Sequence, residues 1–274
     1  MGLLPAAVPH PGGARKQPWI NPLRMLFELH GWQITAILAS YLFAATAKGV
    51  TGLGFTTTCL PILVLLLGLK DALPLVIIPS IYSNIVVMRQ AGGYGEALIR
   101  FWPMLLALVP GLALGLWALA YIDGPLAGAF LGGMMLVWCA FTFAKPELSI
   151  AAHWERPLAP FTGFITGTIN GITGSQVMPM VPFMMMLRLE RNLFLQAVNC
   201  SFTLSSLVMA LGLGKLGLFL WEDVLISAIG VCFVTFGLSL GAAIRHQLSE
   251  TLFRQGILVM LSLMGLGLIV PIVV

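Results

Sequence analysis

Charge is the scarcest property of this sequence. Of 274 residues, only 24 are Asp, Glu, Lys or Arg, which is 9% of the chain, against about 25% in an ordinary soluble domain. Hydrophobic residues make up 59%, with a mean hydropathy of +0.99. A soluble fold would have to cover its surface with polar side chains that are missing here. Cysteine is also sparse. Cys59, Cys139, Cys200 and Cys232 all lie in apolar runs without CxxC spacing, so they read as small packed hydrophobes and not as a disulfide framework. The four histidines, His10, His30, His153 and His246, fall at ends or in loops, which leaves no base inside the apolar runs for a serine hydrolase. Among ten acidic residues only Glu222-Asp223 are adjacent, at a helix edge. That is too little to hold Mg²⁺ against a pyrophosphate, and no His/Cys/Asp/Glu set has metal-ligand spacing. The sequence therefore predicts no catalytic residue, no metal and no cofactor. The net charge of +4 is scattered over loops, which speaks for topology control and against a nucleic-acid partner.

What is present in quantity is uninterrupted apolar sequence. Charge-free runs cover 49–69, 72–88, 101–122, 124–144, 157–187, 192–214, 224–244 and 255–274. A helix needs about 20 apolar residues to cross ~30 Å of hydrocarbon, so most runs are one span long and 157–187 is too long for one. A β-barrel would alternate over segments of about ten residues instead. The expected fold is an all-α, polytopic membrane protein in a lipid bilayer. Breakers divide it into about ten segments: 32–48, 55–69, 72–90, 100–121 and 125–144, then 158–171, 176–188, 191–213, 218–244 and 250–272. An N-terminal tail, 1–31, lacks the continuous apolar stretch of a signal peptide. Membrane repeat 1 covers 32–144, a polar linker 145–157, and membrane repeat 2 158–274.

The two halves resemble each other. Gly49-Val50-Thr51-Gly52 matches Gly171-Ile172-Thr173-Gly174 at an offset of 122. A proline follows each (Pro61, Pro182), then a charged turn (Lys70-Asp71; Arg188 to Arg191), then a long helix. The first two segments of each half are short and meet at a Gly-rich break. Five segments per copy is odd, so the second copy is expected to be inverted. The charges agree. Loop 89–100 carries Arg89 and Arg100, whereas its counterpart holds Lys215, Glu222 and Asp223; Asp123 stands where the other half has Arg245 and Arg254. Equivalent loops change their basic content, as opposite sides of a membrane require. Placing 89–100, 145–156, 188–191 and 245–254 in the cytoplasm puts eight Lys/Arg inside and leaves Lys70 and Lys215 outside. Arg15, Lys16 and Arg24 count against the external termini that follow, and the internal loops are favoured over them.

Two broken helices at matching places point to a transporter site, because backbone freed inside a membrane must face protein or a watery cavity. The breaks are rich in hydroxyls and amides and hold no carboxylate. Lys48 is the one charge well inside an apolar stretch, and Asn170 is its partner in the other half. An intramembrane lysine is by default a functional group. Helices restarting near Phe55 and Val177 would aim N-terminal dipoles at the cavity. Lysine, hydroxyls, amides and helix N-termini together favour a small oxyanion. The candidate binding residues are Lys48, Thr51, Gly52, Asn170, Thr173, Gly174, Ser175 and Gln176, with Ser83 and Asn199 on the long helices completing the wall. The expected mechanism is alternating access about one midplane site. An anion channel, or a transporter of another small anion, is the alternative, and a homodimer is an assembly the sequence leaves open.

The duplicated Gly-x-x-Gly break, the prolines after it and Asn199-Cys200-Ser201 resemble the sulfite exporter TauE/SafE (TSUP) family over about residues 35–272. That resemblance implies a secondary transporter of small sulfur oxyanions, sulfite or an organosulfonate, in the multi-pass setting of a cell inner membrane.

Overall fold

The structure, a computed structural model, describes residues 31–92, 94–144, 148–245, 247 and 249–273. The tail expected at 1–31 lies outside the described residues except for Gly31, as do residues 145–147 of the linker. Among the described residues there are ten helices and no strand. They are α1 (Gly31–Thr51), α2 (Phe55–Leu67), α3 (Leu69–Ala91), α4 (Tyr94–Tyr121) and α5 (Gly124–Ala144), followed by α6 (Ala152–Thr173), α7 (Met180–Met186), α8 (Arg191–Lys215), α9 (Trp221–Ile244) and α10 (Glu250–Val273). Helix is the form an apolar run must take in lipid, since it satisfies its own backbone. Seven of them, all but α2, α6 and α7, are long and apolar enough to cross a membrane. Trp117, Leu211, Phe236 and Leu263 are among the large apolar side chains left exposed on the outside, where hydrocarbon is the matching solvent.

Three boundaries differ from expectation. The opening helix of each half is not short: α1 and α6 have 21 and 22 residues, against the 32–48 and 158–171 expected. Each continues to a left-handed glycine, Gly52 (φ 82°) and Gly174 (φ 74°), whose N–H closes the last turn on Lys48 O and Asn170 O. The segment expected at 176–188 shrinks to Met180–Met186. Met178 precedes a proline, which pushes it away from helical backbone, and Pro179 caps α7, whereas Pro61 stands six residues beyond Phe55 and lets α2 restart at once. Finally, Lys70-Asp71 is the first turn of α3 and not a loop, because the turn is Gly68 alone (φ 89°).

Packing is dominated by pairs drawn from opposite halves: α4 on α6, α9 on α1, α10 on α5 and α3 on α8. The first two interfaces are built alike. A Cβ on Gly111 or Gly115 of α4 would overlap the carbonyls of Phe164 or Thr168 of α6. A Cβ on Gly237 or Gly241 of α9 would meet those of Leu42 or Thr46 of α1. Phe164 and Thr168 stand 122 positions after Leu42 and Thr46. Only glycine lets the backbones come this close, and such contacts carry helix association where lipid removes the hydrophobic drive.

The long helices α3 and α8 run antiparallel through the centre. Pro79 in α3 cannot donate to the Leu75 carbonyl, and that oxygen instead accepts from the Tyr41 hydroxyl (2.6 Å) and the Ser227 hydroxyl (3.1 Å).

Candidate functional site

Both breaks are capped by the same local device. The Thr51 hydroxyl bonds the Ala47 carbonyl (3.0 Å) and accepts the Leu53 N–H (3.2 Å). The Thr173 hydroxyl bonds Ile169 O (2.7 Å) and accepts the Ser175 N–H (3.0 Å). Each glycine is then seated on a leucine of the opposite half. A Cβ on Gly52 would lie 2.8 Å from a Leu195 methyl, and one on Gly174 would overlap Leu73. Those leucines, too, are 122 positions apart.

The breaks nevertheless do not share one cavity. Gly52 faces the end of α3, at Val86 to Ala91, and the start of α8. Gly174 faces the start of α3, at Leu73, and late α8, at Ser206 and Met209. From Leu73 to Val87 is fourteen steps, about 21 Å along a helix, but the two sites approach within a turn of α3, where Ser80 lines the second and Ser83 accepts from Lys48 at the first. Two cavities therefore stand where the sequence reading expected one.

At the first break a cavity of about 220 Å³ is lined by Lys48, Gly52, Gln90, Arg191, Asn192 and Arg245, with no carboxylate in its wall. Lys48 is fully buried in the last turn of α1 (1% exposed). Its ammonium donates to Ser83 Oγ (3.2 Å) and to Asn84 Oδ1, while the Asn84 amide N–H groups have no partner. Arg245, just past α9, donates from Nη2 to the Gly49 carbonyl (2.9 Å), and its buried Nε has no partner. Asn199 reaches Gly52 O (3.4 Å, a long bond) and Leu195 O (2.8 Å). Of the residues expected at the site, this end thus gathers Lys48, Gly52, Ser83 and Asn199. Sequence reasoning placed Asn84 among the polar groups of the long helices that could complete the wall, and it missed Arg191 and Arg245. The two arginines were visible as loop charges, but nothing local ties them to a break more than 130 residues earlier.

At the second break the residual cavity is about 10 Å³, room for about one water. Asn170 is fully buried there with neither amide atom partnered, and Gln176 Nε2 bonds Ser206 Oγ (3.2 Å) while its Oε1 is unpaired. Gly174 lines this cavity, whereas Thr173 and Ser175 line neither. Thr51 faces a third cavity on the far side of the first break. Among the described residues no cluster of His, Cys, Asp or Glu has the makings of a metal site.

The first break therefore borders a basic cavity without a carboxylate among the described residues, surroundings that suit an anion within a membrane. No curated protein and no solved structure matches the chain. A family model does match, that of the sulfite exporter TauE/SafE, over residues 37–268. The chain belongs to the TauE/SafE sulfite exporter family, membrane transporters and not enzymes.

Proposed function

We propose that this chain is a secondary transporter of small sulfur oxyanions, sulfite or an organosulfonate, in the cytoplasmic membrane, with the cavity at the first break as its anion station. The observation that carries this reading is the convergence of Lys48, Arg191 and Arg245 on one cavity without a carboxylate. The Lys48 ammonium and the unpaired Arg245 Nε–H supply charged donors to an oxyanion, the contacts charge-assisted recognition uses.

Alternating access is supported by two features. The equivalent glycine contacts, caps and leucine seats of the two halves fit membrane repeats 1 and 2 related by inversion. The break at the arginine-rich end opens on about 220 Å³, while its counterpart is closed down to about 10 Å³. A symmetric frame held in an asymmetric state is what rocking one repeat against the other produces. On this reading Asn170 and Gln176, buried with unpaired amide atoms, form the second station, exposed when the first closes. The closed break weighs against a continuous channel, which needs an unbroken polar lining. The arginine-rich end would face the cytoplasm by the positive-inside rule.

The test is uptake of labelled sulfite, thiosulfate, taurine and isethionate into proteoliposomes, comparing the wild-type chain with Arg245→Gln. Saturable uptake of at least one of them, weakened about tenfold or more by loss of one charged contact, is expected. No uptake of any of the four defeats the proposal.

A further inference from the structure

The Lys48 cavity is not the only space beside the first break. On the other side of the first break a cavity of about 410 Å³ opens beside Thr51, Leu53 and Gly54, and it shares no lining residue with the Lys48 cavity. Its wall is mainly apolar, with Trp138, Met184 and Met185 among the lining residues, and holds no carboxylate among the described residues. Two exposed arginines from different elements, Arg188 after α7 and Arg254 in α10, stand on its rim. Deep in the wall the Thr142 hydroxyl is buried (4% exposed) without a hydrogen-bond partner. Methionine and aromatic side chains adapt to flexible apolar groups, and a volume of this size lies within the range of ligand sites.

We propose that this cavity binds a single-chain amphipathic organic anion, an alkyl sulfonate or carboxylate. Its chain lies among Trp138, Met184 and Met185, and its acidic head is paired with Arg188 and Arg254. The two rim arginines, from different elements, favour a ligand with an acidic head over a neutral one. A two-chain phospholipid exceeds the space and could insert only one tail. The site is separate from the proposed anion station, so it stands or falls independently of that reading.

The experiment is photolabelling of the full chain, in phosphatidylcholine nanodiscs, with a diazirine-bearing decanesulfonate, followed by mapping of the modified residues. Labelling of Trp138, Met184 or Met185 is expected. Unlabelled octanesulfonate should compete, and an uncharged octyl glycoside at equal concentration should not. The double variant Arg188→Gln/Arg254→Gln should weaken labelling about tenfold or more, the size of one charged hydrogen bond. Thr142→Leu, which fills the cavity without touching charge, should reduce labelling as well. Variants are compared only where their thermal midpoint and elution match the wild type. Labelling confined to other surfaces, equal competition by the glycoside, or competition by phosphatidylglycerol but not octanesulfonate overturns the proposal.

Discussion

Replacing Lys48 by Met and by Gln separates what the ammonium does for an anion from what it does for the fold. The side chain is 1% exposed and meets only Ser83 and Asn84, with no carboxylate beside it. Burying a lysine in a membrane helix costs up to about 2.5–3.5 kcal/mol on the insertion scale. Methionine removes that penalty, but it leaves Asn84 Oδ1 without a donor, which costs about 1–3 kcal/mol. The two terms oppose, so stability is expected to change by less than about 2 kcal/mol. Glutamine keeps a donor within reach of Asn84 and should change stability less than methionine does.

Binding has no such cancellation. Losing one partner of a buried charge pair costs about 2–5 kcal/mol, which is a factor of about 30 or more in affinity at 1.4 kcal/mol per tenfold. Both variants should therefore raise the half-saturation concentration for sulfite at least that far while unfolding near the wild-type midpoint. The assay is the initial rate of uptake into proteoliposomes against sulfite concentration, with thermal unfolding of the same preparations. Half-saturation within about threefold of wild type, under ~0.7 kcal/mol, refutes the anion role. A loss of more than about 4 kcal/mol of stability in Lys48→Met would mark the lysine as a structural group instead.

Gly52→Ala places a Cβ at φ 82° against a mobile Leu195 methyl, and should destabilise by about 1–2 kcal/mol, the left-handed penalty. Gly174→Ala overlaps both Leu73 and Leu60 and should cost about 2–3 kcal/mol, since overpacking adds to that penalty; thermal unfolding in detergent orders the two, and the reverse order contradicts the seating described. Gly167→Val drives into the Leu108 carbonyl across α4 and α6 and should leave little folded protein by size exclusion. Gly133→Ala, with nothing within 4 Å of its Cβ, should be neutral or stabilising by about 0.5–1 kcal/mol. Tyr41→Phe leaves the Leu75 carbonyl to Ser227 alone and should cost about 1 kcal/mol; adding Ser227→Ala should cost more than the sum of the singles, and simple additivity would show that the oxygen freed by Pro79 is not shared.

The membrane fold was legible because hydrocarbon leaves few choices: a charge-free run of span length must be a helix, and long loops must carry the charges. Ten segments in two groups, the glycine breaks and the division of charge between the two ends all follow from that. Segment ends were less legible, since a break was taken to shorten the helix before it. Gly49 and Thr51 instead stay inside α1, and the left-handed glycine after them ends it cleanly. In the second half α7 restarts directly after Pro179, its N-cap, six residues beyond Thr173 of the motif copy.

The site was legible only as far as its local half. Searching apolar runs for a lone charge finds Lys48, and searching a motif for its copy finds Asn170, but both tests ask what lies within a span. The break after α1 lies where the ends of α3, α8 and α9 arrive together, so a charge at a helix end there lines the cavity. Arg191 opens α8 and Arg245 follows α9, so the positions that satisfy the positive-inside rule are the same ones that surround the break. The opposite break, flanked by Lys70-Asp71 and Glu222-Asp223 near the helix ends, has no such surplus and faces its space with amides. The uneven division of charge therefore leaves one Gly-x-x-Gly break beside a basic cavity and the other beside buried amides.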